Sequence, residues 1–148
     1  MKLSVDTNVL IYATDPKAGA KQAIAIDLLR RAATLNCALA EQTLVEYLNA
    51  AVVKVRQPLH DAAIIVRQWL VNFALLLPTK NVLEDTIGML SRYKLSVWDA
   101  RLLAVCDAHG CSILFSEDLQ DHASYGGVRV LNPFEAANFR KVAELLQP

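Results

Sequence analysis

Hydrophobic and polar positions along the chain follow two alternating patterns. Short, mostly apolar runs predict buried strands at residues 2–5, 37–40, 75–77, 112–115 and 128–131. Longer segments with apolar residues at helical spacing predict helices that follow Asp6 and that cover residues 20–33, 43–56, 60–73, 79–93, 97–109 and 134–146. Strands and helices therefore alternate, which predicts an α/β fold whose short parallel sheet is covered by helices on both faces.

The ends of several predicted helices carry capping signals. Thr43 stands three residues before Glu46 in the spacing of a capping box, which would begin a helix near Thr43. Ser96 is an expected N-cap, and Gly110 is expected to end the same helix. Asn132 before a proline predicts that the last helix begins at Phe134.

Length and composition fit one ordinary domain. The 148 residues are 54% hydrophobic and 20% charged, so we expect a single folded domain over residues 1–148 with a buried core. No apolar run reaches the length of a membrane span. Asp6 would interrupt the apolar core of a signal peptide, so we expect a cytoplasmic protein without a membrane contact.

Charge and cysteine content bear on nucleic-acid binding, disulfides and zinc sites. Fifteen basic residues balance fifteen acidic ones, so the net charge gives no footprint for nucleic acid. A local basic rim of Lys54, Arg56 and Arg67 would still serve phosphate contacts. The three cysteines are odd in number and form no CxxC pair, which argues against a disulfide framework and a zinc site.

Four acids from distant parts of the chain fall where an open α/β sheet builds its functional crevice. Asp6 and Asp118 follow predicted strands, and Glu46 and Asp99 lie in the first turns of predicted helices. Each alone has a structural explanation, as a helix cap, a capping-box partner or a turn residue. Together they would repel one another unless a cation bound between them.

The chemistry of these acids points to a hard divalent cation. Oxygen ligands without His or Cys favour Mg²⁺ or Mn²⁺ over zinc. Such ions also bind phosphate oxygens, so the predicted reaction is metal-assisted hydrolysis of a phosphodiester by water. The sequence has no nucleophile elbow, no phosphate-binding loop of the P-loop type and no dinucleotide fingerprint.

Several segments resemble the motifs of PIN-domain nucleases, in order and at fitting spacing. The resemblance involves nearly the whole chain and lies in residues 5–10 (VDTNVL), 44–49 (LVEYLN), 98–100 (WDA), 114–119 (LFSEDL) and 125–134 (YGGVRVLNPF). The set implies a PIN-like, Rossmann-like three-layer sandwich. At this length the chain is similar to VapC-type toxins of toxin–antitoxin pairs.

That resemblance implies an Mg²⁺- or Mn²⁺-dependent endoribonuclease that cuts RNA, forms a homodimer and is blocked by a small antitoxin protein. It assigns the catalytic and metal-binding roles to the acids Asp6, Glu46, Asp99 and Asp118. Asn8 and Ser116 would support these acids by hydrogen bonds, and Arg101 is a candidate contact to substrate phosphate. Asp118 is preferred over Glu117 and Asp121 as the fourth acid because its S-x-D form matches the family, with Asp121 in reserve.

Three other functions remain open from the sequence. Asp6 could be the nucleophile of a phosphotransfer module, but Asn8 stands where such sites carry a second acid. A non-catalytic PIN-like binding protein is a second alternative, although all four acidic positions are occupied. A PIN-like nuclease that acts on DNA or structured RNA in processing is the third, because metal hydrolysis does not require a 2′-hydroxyl.

Overall fold

The computed structural model describes residues 1–147 and shows a parallel sheet between two layers of helices. The six strands are β1 (Lys2–Val5), β2 (Cys37–Ala40), β3 (Ala74–Leu76), β4 (Cys111–Phe115), β5 (Ser124–Tyr125) and β6 (Val128–Leu131). Their order across the sheet is β3-β2-β1-β4-β6-β5. All neighbouring pairs are parallel except β5 with β6, which closes one edge antiparallel. The predicted α/β fold with a parallel sheet is confirmed.

Residues 1–147 also form seven α-helices, six of them between strands and the seventh after β6. They are α1 (Thr7–Thr14), α2 (Ala20–Ala32), α3 (Glu41–Asn49), α4 (Leu59–Asn72), α5 (Val82–Arg92), α6 (Val97–Ala108) and α7 (Phe139–Leu145). Helix α3 runs directly into a π-helical turn, Ala50–Lys54. Two short 3₁₀ turns, Pro16–Ala18 and Ala136–Asn138, precede α2 and α7. Within residues 1–147, no helix is long and apolar enough to cross a membrane.

The core consists of two apolar clusters, one on each face of the sheet. On one face, Leu39 and Phe115 pack with buried side chains of α1, α2, α3, α4 and α7. On the other face, Ala38 and Leu114 pack with α5 and α6, where Leu103 is fully buried. Burying both faces explains why β2 and residues 113–115 of β4 are apolar without alternation. The three layers expected from the resemblance are therefore present.

The predicted capping box at Thr43 is wrong, because α3 begins two residues earlier. Ala40 has the extended backbone of an N-cap but provides no side-chain cap. Thr43 lies inside the helix, where its buried hydroxyl has no hydrogen-bond partner among the described residues. The helix starts at Glu41 because the burial of Leu44 and Tyr47 against the sheet fixes its position, and this outweighs a missing cap.

Two other predicted helix starts are also wrong. The helix predicted from Thr79 begins at Val82, because the Thr79 hydroxyl accepts a hydrogen bond from the Asn81 amide and forms a turn instead. The helix predicted from Phe134 begins at Phe139. The Asn132 side chain does accept a hydrogen bond from the Phe134 backbone amide at 3.0 Å. The Asn132 backbone carbonyl, however, accepts one from the Asn138 side-chain amide, which keeps this segment in turns. The expected cap at Ser96 is confirmed, with Ser96 Oγ accepting the Asp99 amide at 3.1 Å.

Candidate active site

The candidate site lies at the carboxyl ends of β1 and β4, the two central strands of the sheet. The order of the strands reverses at this point, since β2 and β3 lie on one side and β6 and β5 on the other. Open α/β sheets bind their ligands at such switch points. Asp6 directly follows β1, and its amide donates to the Phe115 carbonyl at 2.9 Å. Ser116 directly follows β4, so both side chains stand at the same edge.

Asp6 is the most buried carboxylate of the site, with 6% of its surface exposed. It caps α1, and its Oδ1 accepts the Thr7 amide at 2.6 Å. Its Oδ2 accepts the Ser116 hydroxyl at 2.7 Å. Burial raises the pKa of Asp6 to about 6; the hydrogen bonds from Ser116 and Thr7 oppose the rise, and the nearby Asp118 and Glu46 carboxylates add to it.

Asn8 joins Asp6 to Asp118. Its amide nitrogen donates to Asp6 Oδ2 at 3.3 Å and to Asp118 Oδ2 at 3.1 Å. The Asp118 backbone amide donates to Ser116 Oγ at 3.2 Å, which fixes the start of the loop after β4. The structure thus places Asn8, Ser116 and Asp118 around Asp6, which are the contacts expected of supporting residues and a fourth acid. Their roles remain predictions.

Glu46 approaches this cluster from α3 with both carboxylate oxygens held. The Thr7 hydroxyl donates to Oε2 at 3.0 Å, and the Gln42 side-chain amide donates to Oε1 at 2.6 Å. Thr7 therefore connects Glu46 to Asp6, because the same residue donates its backbone amide to Asp6. The burial of Leu44 and Tyr47 beneath the helix aims Glu46 toward the sheet end.

Asp99 is not in hydrogen-bond contact with the other three acids. It lies in the first turn of α6, where its Oδ2 accepts the Ser96 hydroxyl at 2.7 Å. The residue before it, Trp98, is tied to α3, because Gln42 donates to the Trp98 carbonyl at 3.0 Å. Within residues 1–147, no three His, Cys, Asp or Glu side chains stand close enough together to hold a metal ion directly.

An open cavity of about 830 Å³ covers this cluster. Its walls come from α1, α3, the π-helical turn, α6 and the loop after β4. They include polar and charged side chains and one exposed aromatic ring: Thr7, Asn8, Glu41, Gln42, Glu46, Asn49, Lys54, Trp98, Arg101 and Asp118. Of the three basic residues expected to form a rim, Lys54 lines the cavity and Arg56 and Arg67 do not. Trp98 is 66% exposed at its edge.

The donor set fits a hard divalent cation. The acids at this edge of the sheet offer only oxygen ligands. The buried Asn8 Oδ1 is a further oxygen, and it has no hydrogen-bond partner among the described residues. A buried polar atom without a partner is costly unless something occupies its lone pairs. Burial raises the pKa of Asp6, and the neighbouring Asp118 and Glu46 carboxylates add to the rise, so a bound cation would stabilise the charged form of Asp6. Mg²⁺ and Mn²⁺ prefer oxygen ligands of this kind.

Arg101 is already engaged with protein groups. Its Nη1 donates to Gln42 Oε1 at 2.7 Å, and its Nη2 lies 4.0 Å from Glu41 Oε2. Both contacts are at the wall of the cavity. A contact from Arg101 to substrate phosphate remains a prediction, because it would have to share the guanidinium with Gln42.

The two other acids near the fourth position have separate partners. Glu117 accepts the Tyr12 hydroxyl and forms an ion pair with Lys21 at 2.6 Å. Asp121 accepts the Asn132 amide at 2.8 Å and the Asn138 side-chain amide at 2.7 Å. Burial opposes it, but these hydrogen bonds hold the pKa of Asp121 below its ordinary value. Asp121 thus stabilises the segment before α7.

Replacing Asp121 and Asp118 by alanine, each in its own variant, distinguishes the two candidates for the fourth acid. Asp121→Ala is expected to lower the free energy of unfolding by about 1–3 kcal/mol, because it leaves hydrogen-bond donors to a charged group without an acceptor. Its Mn²⁺ affinity should stay at the wild-type value. Asp118→Ala should do the opposite, with weaker Mn²⁺ binding and little change in stability. Urea unfolding and calorimetric titration measure both quantities, and weaker Mn²⁺ binding by Asp121→Ala would reverse the assignment.

Sequence reasoning missed two residues that organise the site. Gln42 contacts Glu46, Trp98 and Arg101, and Thr7 connects Glu46 with Asp6. The spacing of Gln42 and Glu46 was a usable signal, because residues four apart face each other on a helix. The predicted capping box hid this signal because it began the helix at Thr43 and so placed Gln42 before the helix.

The parallel sheet, with acids at its switch point, is the architecture of a known protein family. A family model described as "PIN domain" matches residues 3–126, and the chain belongs to that family of nucleases. Among curated proteins, none shows significant sequence similarity to the chain.

Solved structures narrow the comparison to toxins of toxin–antitoxin complexes. A chain of a toxin–antitoxin complex from Klebsiella pneumoniae is 25% identical with a TM-score of 0.63, over 91% of this chain and 99% of that chain. VapBC-1 from nontypeable Haemophilus influenzae gives a TM-score of 0.67 at 13% identity, over 91% of this chain and 100% of that one. VapC20 from Mycobacterium tuberculosis, a sarcin–ricin loop cleaving toxin, gives a TM-score of 0.60 at 18% identity, over 78% of this chain and 88% of that chain. The latter two share the fold.

Proposed function

We propose that this chain is a metal-dependent endoribonuclease and the toxin of a toxin–antitoxin pair. The observation that carries the proposal is the hydrogen-bonded cluster of Asp6, Asn8, Ser116 and Asp118, joined to Glu46 through Thr7. It lies at the switch point of a PIN fold and opens into a cavity. The similarity to solved toxin–antitoxin complexes supports the toxin assignment.

Asp6, Glu46 and Asp118 would hold Mg²⁺ or Mn²⁺, with Asp99 completing the set from the start of α6. An ion held there would supply Lewis-acid activation of water for attack on phosphorus and charge neutralisation at the phosphate oxygens. Ser116 and Asn8 orient the Asp6 carboxylate, and Thr7 and Gln42 orient that of Glu46. Residues that orient ligands in this way contribute strongly to metal affinity.

The cavity offers a place for an RNA strand beside these acids. Lys54 and Arg101 provide positive charge near the carboxylates, which a phosphate backbone requires. The exposed Trp98 ring at the edge provides an apolar face on which a base can stack. Single-stranded RNA therefore matches the cavity better than a small anion would.

The proposed partners are a small antitoxin protein that blocks this cavity and a second copy of the chain. Neighbouring structures of toxin–antitoxin complexes support the antitoxin. Exposed apolar side chains on α4 and α5, with Val71 85% and Leu83 70% exposed, support a further protein interface. A cytoplasmic location is part of the same proposal.

A cleavage assay on total cellular RNA tests the function. The purified protein is expected to produce discrete RNA fragments in Mg²⁺ and none in EDTA. Asp99→Asn should lose the fragments. Asp85→Asn should keep them, because Asp85 also lies in a first helical turn but belongs to α5 and not to the proposed set of metal ligands.

Other results of these assays would favour one of the three alternative functions. Cleavage of single-stranded DNA at the same rate as RNA would favour a processing nuclease. Absence of cleavage under any divalent ion, in protein shown by mass spectrometry to carry no bound antitoxin, would contradict the enzyme and favour a binding protein. Phosphorylated Asp6 after incubation with a phosphodonor would favour the phosphotransfer module.

A further inference from the structure

Gln42 is a buried polar side chain whose amide nitrogen and oxygen both make hydrogen bonds. It lies in the first turn of α3 and is 6% exposed. Its nitrogen donates to Glu46 Oε1 at 2.6 Å and to the Trp98 carbonyl at 3.0 Å. Its oxygen accepts Arg101 Nη1 at 2.7 Å. This one side chain therefore contacts a carboxylate on its own helix and two groups on α6.

Charge fixes the orientation of the Gln42 amide. A rotation by 180° would turn its oxygen toward the Glu46 carboxylate and the Trp98 carbonyl, and its NH₂ group toward the Arg101 guanidinium. All three contacts would then be repulsive. The amide accordingly has one favourable orientation, and in that orientation the donors point at Glu46 and at the start of α6.

Glu46 and Asp99 come from different helices, and Gln42 links them. Glu46 is held on one oxygen by Gln42 and on the other by the Thr7 hydroxyl. Asp99 follows Trp98, whose carbonyl is the second acceptor of the Gln42 amide. Gln42 therefore bridges the Glu46 carboxylate and the first turn of α6.

We propose that Gln42 is a positioning residue that sets Glu46 against the start of α6 for binding of the divalent cation, an inference that rests on the proposed function. Arg101 closes the network from α6 by binding the Gln42 oxygen. Its main role is then to hold Gln42 rather than to contact substrate phosphate. Loss of Gln42 would remove one of the two hydrogen bonds that hold the Glu46 carboxylate and would leave Arg101 without this acceptor.

Mn²⁺ affinity is the direct test, measured without substrate by titration calorimetry and by water proton relaxation. Gln42→Met keeps the length of the side chain and removes its donors and acceptor. We expect its Mn²⁺ affinity to fall by about 10- to 100-fold, the usual effect of losing a partner of a metal ligand. Gln68→Met, an exposed glutamine on α4, is the matched control and should bind as the wild type does.

A double-mutant cycle with Glu46→Gln separates positioning from a general loss of structure. If Gln42 acts through Glu46, Gln42→Met should change Mn²⁺ affinity by less than about twofold in the Glu46→Gln background. A merely structural role would lower affinity equally in both backgrounds. Should Gln42→Met fail to fold, Gln42→Asn, which is too short to keep these contacts, gives the same comparison with a polar side chain.

The outcomes distinguish this inference from the proposed function. Wild-type Mn²⁺ binding together with unchanged binding by folded Gln42→Met would overturn the role of Gln42 and leave the nuclease standing. Equal losses in both backgrounds would also overturn it. A wild-type protein that binds no Mn²⁺ and cleaves no RNA would overturn both.

Discussion

Asp6→Asn is expected to abolish RNA cleavage while the protein remains folded. Asp6 contacts Ser116 and Asn8 directly and is the buried carboxylate of the proposed metal site. Even partners of metal ligands contribute about 10- to 100-fold to affinity or activity, so loss of a direct ligand should lower cleavage by more than about 100-fold. The rate of RNA cleavage in Mg²⁺ measures this, beside growth of cells that express the variant.

The fold should survive because asparagine is as good a helix cap as aspartate. The side-chain oxygen of the introduced asparagine can still accept the Thr7 amide. Asp15→Asn is the matched control, since Asp15 is also a cap, accepting the Lys17 amide at 2.9 Å, and it lies outside the acidic cluster. If well-expressed Asp6→Asn protein still cleaved RNA or arrested growth, that result would contradict the proposed mechanism.

Stability is expected to respond to pH through the same carboxylate. The pKa of Asp6 lies at about 6 in the folded protein against an ordinary value of 3.8. Its favourable contribution is therefore complete below pH 3.8 and is lost as pH rises through 6. This difference corresponds to about 3 kcal/mol of unfolding free energy.

Comparison with Asp6→Asn isolates that contribution from the other titrating groups. In EDTA, the stability of the variant relative to wild type should increase by up to about 3 kcal/mol between about pH 4 and pH 7. The contact of the Asn8 amide with the introduced amide lowers the stability of the variant by an amount independent of pH, so it leaves this increase unchanged. Saturating Mn²⁺ should reduce the difference by stabilising the wild type. Urea unfolding at each pH measures these quantities, and a difference independent of pH would contradict the raised pKa.

The sheet was predictable because its strands are buried on both faces. Runs such as residues 37–40 and 112–115 are apolar without alternation, and they lie within one residue of the observed bounds of β2 and β4. Helix starts were less predictable where tertiary packing outweighed a local cap. Thr43 illustrates this, because burial of Leu44 and Tyr47 fixes α3 regardless of its capping motif.

The acidic cluster was predictable in part. Asp6 and Asp118 meet because both follow neighbouring parallel strands, a consequence of topology that strand order alone can anticipate. The contacts of Gln42 were not, since they depend on where α3 and α6 approach each other. For the same reason the sequence could not show that Asp121 accepts Asn132 and Asn138 instead of facing the site.

The site joins groups that are far apart in the chain, with 110 residues separating Ser116 from Asp6 and Asp118 from Asn8. During synthesis, a growing chain that has not yet reached β4 lacks both the central partner of β1 and the side chains that hold Asp6. Nascent chains and fragments that end before Ser116 therefore cannot assemble the cluster. If the proposed function holds, the protein could therefore become active only after most of its sheet has been synthesised.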